Sequence, residues 1–205
     1  MIDLRRYTHL AAALRIFRKR KIALLPPDTW DDINDRRLLQ AYQKRKGVSS
    51  VLSLCFAEAH ETYHHWKTFA SGSDGVCIVF DKDRLEQDLP KDVLCKPVTY
   101  YSLDDLKEAE PSLDEFPFSK RRAYGDEREY RLLWVSKNEV VRAKEFDISP
   151  VAISRVIVNP WMPEALQEAV RETINAIDGF ERLKIKHSKI IDGERWRRLA
   201  DANIA

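Results

Sequence analysis

The run from Gly75 to Asp81, GVCIVFD, constrains this chain more than any other segment. It is apolar without alternation, has the length of a strand, and is entered through the turn residues SGSDG. A strand with no polar face needs cover on both sides, so it belongs inside a sheet with other layers packed on it. Strand patterns recur at RRYTHL, IALL, SSVLSLCFAEA, CKPVTYYS, EYRLLWV, ISRVIVNP and LKIKHSKII, with Pro97 favouring an edge. Helical spacing marks 9–21, with Leu10, Leu14 and Phe17 in one stripe, and then 36–46, 61–70, 82–89 and 163–177. The acidic stretch 103–117 reads as a helix plus an exposed loop, and FSKRRAYGDE as a further helix. Strands with interspersed helices predict an α+β fold: residues 1–205 as a single domain, with a mixed or split β-sheet flanked by helices.

Composition narrows the function classes. The 44% hydrophobic content supports a core and excludes a wholly disordered chain. Lys and Arg total 35 against 33 Asp and Glu, a net charge of +2, so binding to nucleic acid or membrane must come from a local patch. Three cysteines, Cys55, Cys77 and Cys95, are too few and too odd for a disulfide framework, and predict a reducing, cytoplasmic setting. Arg15 and Arg18 interrupt the apolar N-terminal stretch, which speaks against a signal peptide or a membrane span there. There is no P-loop and no dinucleotide fingerprint of the Rossmann kind.

Five sets of residues carry a family likeness. They are Arg6-Tyr7; Pro27 followed by Trp30-Asp31-Asp32; Trp66 with Phe69-Ala70 and Gly75, running into Phe80-Asp81; Val98-Thr99-Tyr100; and Lys120, Tyr124, Glu127 and Glu129-Tyr130-Arg131. In this order and spacing, over roughly residues 4–191, the chain resembles the prokaryotic family known as domain of unknown function 2971. It departs from that pattern at Asp31, where Asn is usual, and at Phe69, where Tyr is usual; the second change removes a hydroxyl. The family name carries no activity, but the likeness implies a toxin or phage-defence setting.

A basic residue on an early strand, an aromatic on a middle one and a Glu on a late one also resemble the residue order of ADP-ribosyltransferases. Those enzymes bind NAD in the cleft of a split sheet. The resemblance implies NAD as substrate, with Arg6, Tyr7, Trp66 and Phe69 binding it and Glu129 catalytic, Glu127 being the substitute. Chemistry explains the types: breaking the nicotinamide bond builds positive charge on the ribose, which a fixed carboxylate opposes. A guanidinium pairs with phosphate oxygens, and an aromatic wall orients the ring and excludes water.

Rival readings rest on other residues. His60-Glu61-Thr62-Tyr63-His64 satisfies H-E-x-x-H, which on a helix would put both imidazoles on one face for a zinc-dependent hydrolase. Against it, no third ligand is evident, and His65 points to a polar, solvated face, so no metal is expected. Asp31, Asp32, Asp35, Glu127 and Glu129 would serve a metal-dependent nuclease only if the fold brought them together. The basic ends, Arg5, Arg6, Arg15, Arg18, Lys19, Arg20 and Lys21 at one and Lys184, Lys186, Lys189, Arg195, Arg197 and Arg198 around Trp196 at the other, suggest a module that binds nucleic acid or protein without catalysis. They also make a nucleic-acid or protein target conceivable for an enzyme.

Overall fold

The computed structural model describes residues 2–202; Met1 and residues 203–205 lie outside the described residues. In chain order the elements are β1 (Asp3–His9), α1 (Leu10–Lys19), β2 (Lys21–Leu24), α2 (Ile33–Lys46), β3 (Ser50–Ala57), α3 (Tyr63–Phe69), β4 (Gly75–Asp81), α4 (Lys82–Asp88), β5 (Val93–Pro97), β6 (Thr99–Tyr101), α5 (Asp105–Glu108), β7 (Ser119–Arg121), β8 (Glu129–Ser136), β9 (Lys144–Asp147), β10 (Ile153–Val158), α6 (Glu164–Asn175), β11 (Lys184–His187) and α7 (Glu194–Asp201). The fold is α+β. A seven-stranded sheet runs in the order β11-β10-β4-β1-β3-β8-β5, antiparallel except for β10 with β11.

The apolar run forms β4, between β1 and β10, and Val76, Cys77, Ile78, Val79 and Phe80 are all fully buried. Val76, Ile78 and Phe80 join the main core with Leu4, Phe17 of α1, Leu85 of α4 and Ile174 of α6. On the opposite face, Cys77 and Val79 pack with Tyr7, Ala57 and with Trp66 and Ala70 at α3. A third cluster on that side joins Leu39 and Tyr42 of α2 to Val51, Phe118 and Leu133. The second face is thus covered in two patches, by α3 and by α2.

Between those patches the sheet comes apart. β1 pairs with β4 from Asp3↔Asp81 to His9↔Gly75, and β3 with β8 from Ser50↔Ser136 to Ala57↔Glu129. β1 and β3 share only the pair Arg5↔Ala57. The structure is therefore a split sheet, hinged at Ala57, which stands opposite Arg5 on one side and Glu129 on the other.

Several elements differ from the sequence reading. FSKRRAYGDE is not a helix: Ser119–Arg121 is a strand parallel to β6, and Arg122–Glu127 a 3-10 segment. The strand read across CKPVTYYS breaks in two, because the Val98 N–H bonds to the Glu129 carbonyl and β6 leaves the main sheet for β7. α2 begins earlier than read, since Asp32 caps it by accepting from the N–H groups of Asn34 (2.9 Å) and Asp35 (3.4 Å). α3 begins later, at Tyr63, with the Thr62 hydroxyl as its cap. β9 and α7 had no counterpart in the sequence reading.

Candidate active site

The closed end of the split holds a buried chain of charge. Apolar neighbours carry Arg131 of β8 into the interior, where a guanidinium is tolerable only with partners for its donors. Arg131 is fully buried and binds both oxygens of Asp35 in α2, at 3.0 and 2.7 Å. Its Nε donates to Glu129 Oε1 at 2.7 Å, and Nη1 also donates to the Pro117 carbonyl at 2.6 Å. Its guanidinium lies 4.8 Å from the Trp30 ring centre. On the other side of Glu129, the Lys120 ammonium from β7 donates to Glu129 Oε2 at 3.2 Å and to Glu127 Oε2 at 2.7 Å. The Tyr100 hydroxyl accepts from the Glu129 backbone N–H at 2.8 Å.

This web separates the two glutamates chemically. Burial works against the Glu129 charge, but Arg131 and Lys120 overcome it and hold the carboxyl down to about 2. Glu127 is moved the other way: burial raises it, Lys120 opposes, and Glu129 and Asp126 add to the rise. Glu129 is thus an ionised carboxylate at neutral pH, while Glu127 is the better proton carrier.

The facing wall comes from β1 and α3. Arg5 is occupied, donating to the Ala59 carbonyl (3.1 Å) and to Asp3 (3.2 Å). Arg6 donates to the Cys55 carbonyl at 3.1 Å, a side-chain bridge where the β1–β3 ladder has parted. Among the described residues Arg6 has no carboxylate within ion-pair distance, and burial lowers its proton affinity against the pull of Cys55 and Glu129. Tyr7 packs against His65 at 5.0 Å and edge-on to Trp66 at 5.1 Å, and His65 in turn lies near Phe69. Among the described residues the Tyr7 hydroxyl and Asp32 Oδ2 are buried without a hydrogen-bond partner, apart from the Cys77 thiol, a weak partner, beside the former.

Arg6, Tyr7, Phe69, Glu127 and Glu129 line a single cleft of about 420 Å³ at the split, with Trp30, Lys120 and Tyr124 completing its walls. Trp66 is not in the wall. It is fully buried, donates to Glu61 at 2.6 Å and backs Tyr7. Glu127 and Glu129 do not share a strand face, because β8 starts at Glu129 and Arg128 turns with φ of 43°. Lys120 and not a shared strand brings the two carboxylates together. The sequence places Asp35 only among the candidate nuclease carboxylates and Arg131 only in the family-like block, and does not pair the two with each other. A lone arginine inside EYRLLWV is the signal that a buried acid must lie opposite it.

The rival constellations change on folding. His60, Glu61 and Thr62 precede α3, so His60 and His64 do not share a helical face; Glu61 is bound to Trp66 and Ser188. His65 is buried, contrary to the solvated face expected, and burial lowers its proton affinity. Asp31, Asp32, Asp35, Glu127 and Glu129 do line one cleft, but Asp35 and Glu129 are saturated by Arg131 and Lys120. Among the described residues no group of three or more His, Cys, Asp or Glu is placed to hold a metal ion. Most of the N-terminal cations are engaged elsewhere, and Arg18 and Lys19 of α1 are left exposed. Arg5 and Arg6 line the cleft, and Arg15, Arg20 and Lys21 pair with Glu145, Asp178 and Asp147. At the other end Trp196 is 78% exposed, while Arg197 and Arg198 pair with Asp192 and Glu194. No described helix is long and apolar enough to cross a membrane.

No family model matches the chain, that of domain of unknown function 2971 included, and no curated protein matches it. Solved structures similar to it include DarT of Thermus sp. 2.9 in complex with ADP-ribosylated ssDNA, at 12% identity and a TM-score of 0.49, covering 92% of this chain and 94% of that one. DarT of the same organism in complex with carba-NAD+ and with NAD+ is similar at 12% and 13% identity, each with a TM-score of 0.46, covering 92% of this chain and 96% of that one. At these values the likeness assigns neither a family nor an activity.

Proposed function

We propose that the cleft binds NAD and that the protein is an ADP-ribosyltransferase-like enzyme. The observation that carries this reading is that Arg6 and Glu129, far apart in the chain, line the same cleft at the split, the one without an ion-pair partner and the other held ionised. The residues suit such a ligand. A guanidinium short of an anion matches a pyrophosphate. Tyr7, held by Trp66, and Phe69 at the rim supply aromatic surface for the nicotinamide ring. The partnerless Asp32 oxygen suits a ligand hydroxyl.

The step balances as follows. The bond between ribose C1′ and the nicotinamide nitrogen breaks, and its electron pair neutralises the pyridinium as nicotinamide leaves. Positive charge gathers on the ribose, opposed by Glu129, whose orientation is fixed beforehand by Arg131. A nucleophile on the acceptor, or water, bonds to C1′, and its proton passes to Glu127. The test is nicotinamide release from NAD by the purified protein. Glu129→Gln is expected to lower the rate at least about 100-fold, while the variant stays folded. Release that the variant leaves unchanged, or no release by the wild type, would overturn the reading.

A further inference from the structure

Lys120 takes no part in that chemistry, yet it stands where the two carboxylates meet. Its side chain is 9% exposed, unusually little for a lysine, and its ammonium lies 4.7 Å from the Tyr124 ring centre. Asp35, Arg131, Glu129, Lys120 and Glu127 form a chain of alternating sign with one negative charge in excess. Among the described residues Glu129 has a cation on each side of it, whereas Glu127, at the end, pairs only with Lys120. The other groups facing Glu127 are Asp126 on its own segment, Glu129 of β8 and Tyr100 of β6, with Arg6, Asp31 and Asp32 across the cleft. None of the nearer three supplies a positive charge.

We propose that Lys120 is the positioning residue of the carboxylate pair: its ammonium holds Glu127 beside Glu129 and favours the ionised form that can accept a proton. This rests on the reading of Glu127 as proton acceptor. Without the ammonium, two carboxylates face each other and Glu127 keeps its proton to higher pH. Lys120 would therefore set the acid limit of turnover, although it touches no reacting atom.

The test is the pH profile of nicotinamide release in Lys120→Met and Lys120→Arg. The acid limb of kcat/KM is expected to move up by at least about one pH unit in Lys120→Met and to return in Lys120→Arg, which keeps the charge. Lys120→Gln replaces the methionine variant should that one not fold. A merely structural lysine would lower the rate at every pH and leave the limb where it was, which would overturn the proposal. Carbon-13 NMR titration of the Glu127 carboxyl, assigned with Glu127→Gln, gives a readout that needs no turnover. If the wild type releases no nicotinamide, the enzyme reading fails by itself. The NMR titration then decides the Lys120 proposal: an upward shift in Lys120→Met supports it, and an unmoved titration overturns it.

Discussion

Arg131 holds two carboxylates from different elements, and it has no exposure to solvent. Removing it would leave Asp35 and Glu129 buried without their main counter-charge, so Arg131→Met should cost about 3–5 kcal/mol near neutral pH. The sign of the pH dependence follows from Glu129. Its folded value, about 2, lies below the ordinary 4.5, so its ionisation stabilises the protein above about pH 4.5, and that contribution is lost as pH falls toward 2. The gap between wild type and Arg131→Met in urea unfolding should therefore shrink between about pH 7 and pH 3. A gap that stays constant over that range would contradict the assignment. These roles were only half legible in the sequence. The pattern of EYRLLWV located the strand, but the acid that partners Arg131, Asp35, comes from a helix far back in the chain, which no local pattern reveals.

At the level of elements, β4 was legible because its signal is local: an apolar run of strand length, entered through turn residues, reads as a strand covered on both faces. The entry to β4 also positions the α3 wall of the cleft. A Cβ at Gly75 would lie 2.2 Å from the Ala70 carbonyl oxygen and 2.9 Å from Asn159 Nδ2, and these groups bond to each other at 2.9 Å. Gly75→Ala must push the end of α3 away, and with it Phe69; a loss of about 1–3 kcal/mol is expected from urea unfolding. Unchanged stability would mean that this junction is loose. Elements whose form depends on distant partners were misread. β7 looked helical, but Lys120 is drawn to the two glutamates and its strand pairs with β6. The helix read over 61–70 takes in most of the H-E-x-x-H run, but Thr62 caps α3 inside the motif and leaves Glu61 outside it as well as His60.

For the whole molecule, the fold class and the split sheet were within reach of the sequence; the meeting of Arg6 with Glu129 was not. That meeting depends on β1 and β8 flanking β3, where Ala57 stands opposite Arg5 and Glu129 in turn. Family-like residue order suggested the pairing, and sheet register places both at one cleft. The second face supports the same geometry, because α3 and α2 cover separate patches and leave the split open between them. The most direct test of the NAD reading is calorimetric titration of NAD into the wild type and Arg6→Met. The account predicts one site per chain in the wild type and affinity at least about tenfold weaker in the variant, the loss of a charge-assisted hydrogen-bonding group. No binding to the wild type, or equal binding to both proteins, would contradict it.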